Sequence, residues 1–168
     1  MSSSELEAAL RSLEEVGTKM HHPSHYLARD VLLALGRWMR ESEPEGQEAL
    51  LARARKAGHS LGQGWVEAVQ TELSVACAEF VQSVDPRYLG VPGYDLEYTR
   101  ASRARLEDRL RAATALGFTP VSRETELLAM ADRVWTAHLG RPSSRPAEPK
   151  PSGPAKGSGQ LGRRRSNN

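Results

Sequence analysis

Residues 22–40, HPSHYLARDVLLALGRWMR, decide the fold. Leu27, Val31, Ala34 or Leu35, and Trp38 recur at steps of three and four, the period of one helix face. Tyr26, Leu32 and Met39 widen that stripe. A helix apolar over so much of its circumference belongs in the middle of a bundle. Pro23 suits the first helical position, where a missing N–H costs nothing, with His22 as the cap before it.

The same period continues on both sides. Upstream, Ser4 and Glu7 have the spacing of a capping box, and Leu6, Leu10, Leu13 and Val16 form the inner stripe of a helix over about 5–16, ended by Gly17. Downstream, a weaker helix is predicted over about 45–57. Leu50, Leu51 and Ala54 are its only clear inward residues, which places it at an edge. Gly58, Gly62 and Gly64 then break the pattern. A long helix over 64–84 follows, with Trp65, Val69, Leu73, Ala76 or Cys77, Phe80 and Val84 on one face. Residues 85–96 read as a loop, and Pro92-Gly93 fits the centre of a type II turn. A fifth helix over 98–116 turns Leu106, Leu110, Ala113 and Leu116 inward. Its outer face is expected to carry the pairs Arg103–Glu107 and Glu107–Arg111. Gly117 stops it. Thr119-Pro120 opens a sixth helix to about Leu139, buried through Leu127, Leu128, Ala131, Val134, Trp135 and His138. No segment alternates with period two for long enough to make a strand. The expected fold class is therefore all-α, a single bundle of about five or six helices within residues 1–140.

From Gly140 onward the composition changes. Residues 141–168 hold only Ala147, Ala155 and Leu161 as apolar side chains, while all nine aromatic residues lie before them. A packed core is impossible there, and a disordered Pro/Gly/Ser-rich tail is expected. Seven basic residues and one acidic residue give this tail a net charge of +6, against −4 for residues 1–140. The overall +2 conceals that split. Such asymmetry points to an anionic partner for the tail, or to a tail that folds back on its own domain.

Several classes are disfavoured. The single Cys77 permits no intrachain disulfide, and the N-terminal segment lacks a basic stretch followed by an apolar run. No stretch reaches about 18 uninterrupted apolar residues. A reducing, cytoplasmic setting is expected, and the excess of Arg over Lys fits a bacterial gene of high GC content.

No Glu is followed three residues later by His, so the di-iron pattern of helical bundles is not met. His21, His22 and His25 cluster at the start of the second helix, with Pro23 between them and no nearby Cys or carboxylate. They read as a solvated cap rather than a metal site. Lys56–Gly64, KAGHSLGQG, precedes a helix and is rich in glycine. It lacks both a preceding strand and the Gly-Lys-Ser/Thr of a phosphate loop, and reads as a hinge. Cys77, in mid-helix on the apolar face, reads as a core residue rather than a nucleophile. The arginines of helix five, Arg100, Arg103, Arg105, Arg109 and Arg111, are interleaved with Glu107 and Asp108 and read as a solvated, salt-paired face.

No catalytic constellation, cofactor or metal is therefore expected. The leading expectation is a non-enzymatic helical adaptor or regulator that works through a protein partner or through a homo-oligomer. Its contact residues are expected in the loop at Arg87, Tyr88, Tyr94 and Asp95, because aromatics beside Arg are typical interface anchors. An alternative is weak nucleic-acid binding by Arg163, Arg164 and Arg165. A second alternative is an enzyme or small-ligand carrier whose site draws on scattered residues such as His59, Tyr94 and His138.

Overall fold

A computed structural model of the chain describes residues 3–19, 22–43, 46–85, 87 and 96–139. They form six helices, and no strand occurs among the described residues: α1 (Ser3–Thr18), α2 (His25–Glu41), α3 (Glu48–Leu61), α4 (Gln63–Ser83), α5 (Leu96–Ala115) and α6 (Ser122–Leu139). The all-α class and the helix count are as expected from the sequence. The stretch 141–168, expected to be a disordered tail, lies outside the described residues.

Helix α2 is central, packed against α1, α4 and α5. Its start differs from the expectation. The cap is Ser24, in extended backbone, whose Oγ accepts the Leu27 N–H at 3.2 Å. A hydroxyl at this position satisfies one of the orphan amides of the first turn, which His22, two residues earlier, does not. Gly36 makes the crossing with α5 possible. A Cβ there would lie 1.9 Å from the Asp108 carbonyl oxygen, so the two backbones meet with nothing between them.

The core divides in two. The larger cluster holds Leu6, Leu10 and Leu13 of α1, Val31, Leu32 and Leu35 of α2, Leu51 and Ala54 of α3, Trp65, Val69 and Leu73 of α4, and Ala112 and Ala113 of α5. The smaller holds Ala76, Cys77, Phe80 and Val84 of α4, Leu106 of α5, and Ala131 and Trp135 of α6. Along α4 the change falls between Leu73 and Ala76, and along α5 between Leu106 and Ala112. The half-buried Leu110 packs against both.

Helix α5 ends as its glycine predicts. Gly117 has φ +92°, its N–H donates to Thr114 O at 3.0 Å, and the Phe118 N–H reaches back to Ala113 O at 2.8 Å. These two bonds are the Schellman pattern, in which a residue without Cβ takes the left-handed position. Helix α3 continues four residues past the expected stop at Ala57. Gly58 lies inside it because the Trp65 indole occupies that side: a Cβ at Gly58 would approach the indole Nε1 to 2.4 Å. The turn instead falls at Gly62, with φ +58°.

Helix α6 departs most from its expected burial. Only Ala131 and Trp135 are buried. Leu128 is half-buried against the smaller cluster, Val134 and His138 are partly covered, and Leu127 is exposed. Helix α6 lies at the periphery, packed mainly against α4 and tied to α5 by the Arg103–Asp132 pair, so its neighbours cover a narrower sector than the six expected residues span.

Candidate functional site

Three places collect polar or exposed chemistry. The first is internal. Glu72 of α4 and Arg109 of α5 are both buried, at 1% and 4% exposure, with Arg109 Nε 2.8 Å from Glu72 Oε1. The contact is close but not aligned as a hydrogen bond. Arg109 also lies 3.8 Å from Glu79, which accepts from Arg105 at 2.7 Å and from Ser102 Oγ at 3.3 Å. Burial pushes the Glu72 carboxyl up, against the charge of Arg109, and pushes Arg109 down, against the charges of Glu72 and Glu79. For Glu79 burial acts upward, yet the Arg105 hydrogen bond and the charges of Arg105 and Arg109 together hold it below the usual glutamate value. This layer separates the two apolar clusters. The clefts lined by Arg55 and His59, by Glu5 and Asp30, and by Glu14 and Arg53 do not include Glu72 or Arg109.

Next to Arg109 on α5, Asp108 is buried and ringed by arginines. Arg40 donates to both its oxygens, at 2.9 and 3.1 Å, and Arg111 to one at 3.0 Å, while Arg37 lies at 3.9 Å. The expected solvated face of α5 is thus half right. The Arg103–Glu107 pair forms at 3.4 Å, but Arg111 takes Asp108 rather than Glu107, and Arg109 points into the core. Charges alternate so densely along α5 that the inward position has the same local sequence as the outward ones. The one available sign was Glu72, which falls on the otherwise apolar run of α4.

The second place is a cleft of about 660 Å³ where the end of α3, the start of α4 and the segment after α5 converge. Arg55, Lys56 and His59 border it, with Trp65, Val66, Leu116 and Phe118 as its apolar lining. The stretch expected to be a hinge runs through the end of α3, turns at Gly62 into α4, and forms this wall.

The third place is the outer face of α6. Met130 is 60% exposed and Leu127 40%, and Val121 precedes the helix at 52%. Leu127, Met130 and Val134, spaced three and four apart, fall within one narrow sector beside the buried one.

Of the residues expected at a contact loop, Arg87 is exposed and its guanidinium is held by Asp85, at 2.5 and 3.0 Å. Tyr88, Tyr94 and Asp95 lie outside the described residues, as do Arg163, Arg164 and Arg165. His59 borders the α3–α4 cleft, whereas His138 stacks on Trp135 at 6.2 Å between ring centroids and does not line it. Cys77 is buried, and burial pushes its thiol up to about 11. Among the described residues no group of three or more His, Cys, Asp or Glu is arranged to hold a metal ion. No described helix is long and apolar enough to cross a membrane. No family model, no curated protein and no solved structure matches this chain.

Proposed function

We propose that this chain is a non-enzymatic helical adaptor or regulator that acts through protein–protein contacts, with the outer face of α6 as its contact surface and a second copy of the chain as the first occupant. The observation that carries this reading is the exposed pair Leu127 and Met130, beside the half-buried Val134, on a helix that buries only Ala131 and Trp135. Large apolar side chains gathered in one exposed sector mark a surface that gains from being covered.

The charges beside that sector argue for self-pairing. Glu126 and Arg133 lie seven residues apart on one flank of it, exposed, and neither is ion-paired among the described residues. Two antiparallel copies of α6 related by a two-fold axis near Met130 set Glu126 of each helix opposite Arg133 of the other. An isologous contact repeats each pair twice, so complementarity on one flank suffices. The apolar side chains of the two copies then interleave along the seam.

Sedimentation equilibrium of the full chain tests this. A dimer is expected, converted to monomer by Met130→Glu. Glu126→Arg and Arg133→Glu each weaken the dimer, and the double exchange restores it. A wild-type monomer at every concentration up to about 100 μM, far weaker than the nanomolar range of stable pairs, overturns the reading. So does a dimer indifferent to Met130→Glu.

A further inference from the structure

The cleft between α3, α4 and the end of α5 has the dimensions and chemistry of a small-molecule site. We infer that it binds a small organic anion with an aromatic body, the anionic group held by Lys56 and His59 and the ring lying on the half-buried Leu116 and Phe118. This inference does not depend on self-association through α6.

Volume comes first. At about 660 Å³ the cleft falls within the usual range for ligand pockets, roughly 300–1,000 Å³. Its lining is mostly apolar, with few polar groups, which is the usual make-up of such sites. Trp65 is almost fully buried and closes the floor of the cleft, while the backbone of the half-buried Phe118 is tied by the Schellman turn at Gly117.

Charge comes second. Arg55, Lys56 and His59 border the cleft, and no Asp or Glu lines it. Arg55 is committed elsewhere: it donates to Glu48 at 2.8 Å and to the Ala115 carbonyl at 2.8 and 3.2 Å. That leaves it as a fixed positive charge on the wall. The Lys56 and His59 side chains make no hydrogen bond or ion pair among the described residues, and both are exposed, although the Lys56 charge also acts on Glu14. Two nitrogen donors three residues apart near a helix end can converge on one phosphate, sulfonate or carboxylate. The end of α3 and the start of α4 meet here with opposite partial charges, so the side chains carry the case.

The backbone explains why the space stays open. Gly62, at φ +58°, turns the chain sharply from α3 to α4 with no side chain over the cleft. Gly58 lets the Trp65 indole lie against α3, where a Cβ would collide with it. Apolar and basic side chains then border one cleft, and a ligand satisfying both is apolar and anionic.

The test uses 1-naphthyl phosphate with the full chain, followed by tryptophan fluorescence and calorimetry. Saturable binding with one site per chain is expected. The uncharged 1-naphthol and inorganic phosphate are each expected to bind at least about tenfold more weakly, since each keeps only half of the recognition. The variant Lys56→Glu/His59→Glu changes only exposed side chains, so its thermal unfolding should match wild type while its affinity falls at least about tenfold. Met130→Glu, on the far surface, should bind as wild type does. Equal binding of naphthol and naphthyl phosphate, equal binding by the charge-reversed variant, or no binding up to about 1 mM overturns the assignment.

Discussion

The larger apolar cluster draws on five helices and the smaller on three, and the two behave as different kinds of interior. Around the larger one, α2 buries Ala28, Val31, Leu32, Ala34, Leu35 and Gly36 and half-buries Leu27, Trp38 and Met39, while Tyr26, expected to widen the inner stripe, is exposed. Around the smaller one, α6 closes a single side and keeps Leu127 and Met130 outside. Enclosure from many directions yields a stable body, whereas enclosure from few leaves apolar side chains with unfinished contacts. The proposed contact face follows from the second condition. Between the clusters lies the Glu72–Arg109 layer, where the packing of each must accommodate charge.

The boundary itself is where a substitution is expected to act most strongly. Arg109→Met removes the cation paired with Glu72 among the described residues and strands a buried carboxylate. Breaking such a pair on one side costs about 3–5 kcal/mol. The double variant Glu72→Leu/Arg109→Met joins the clusters through apolar contact and is expected to recover most of that loss, because desolvating two charges offsets much of their attraction. Urea denaturation of the two singles and the double checks this. A double variant as unstable as Arg109→Met would show that the layer positions α4 on α5 in a way that apolar packing cannot replace.

Next comes the smaller cluster alone. Trp135 is the largest side chain that α6 buries, and Trp135→Ala is expected to cost about 3 kcal/mol, the low end for aromatic truncation, since a peripheral helix can settle inward. The loss should be local. Amide exchange is expected to rise along α6 and the C-terminal half of α4 while α1, α2 and α3 keep their protection, as separately opening units do. Uniform loss of protection across all six helices would mean that the two clusters open as one.

The two regions also differ in how legible they were. The α2 stripe and the α4 face from Trp65 to Val84 were readable because one repeating period met one buried face. Gly117 was readable because left-handed backbone selects glycine. Burial on α6 was overestimated, because periodicity records where apolar residues sit and not how many neighbours cover them. Arg109 was taken for a surface residue since dense alternation of charge along α5 hides which member turns inward. The α3–α4 cleft escaped notice for a further reason. Its aromatic lining, Trp65 and Phe118, comes from positions 53 residues apart in sequence, brought together only by packing, while Gly58 looked like a helix stop until the Trp65 ring showed what it accommodates.

The smallest expected effect lies on the outer surface of the larger cluster, where α3 is tied to α1. Arg53 bonds Glu14 through a fork at 2.6 and 2.9 Å and Glu7 at 2.8 Å. The Arg53 hydrogen bond holds the Glu14 carboxyl below its ordinary value of 4.5. A carboxyl lowered on folding contributes stability above its unfolded value and loses it as pH falls through the folded one. All three side chains are about one-third exposed or more, so solvent screens the pair. Arg53→Met is therefore expected to cost less than about 1 kcal/mol near neutral pH, with the difference from wild type shrinking as the pH drops below 4.5. Thermal unfolding of both proteins across that range measures it. A difference that persists unchanged into acid would locate the contribution of Arg53 in its aliphatic stem packed along α1, and would place this part of the surface with the enclosed region rather than with the solvent-facing one.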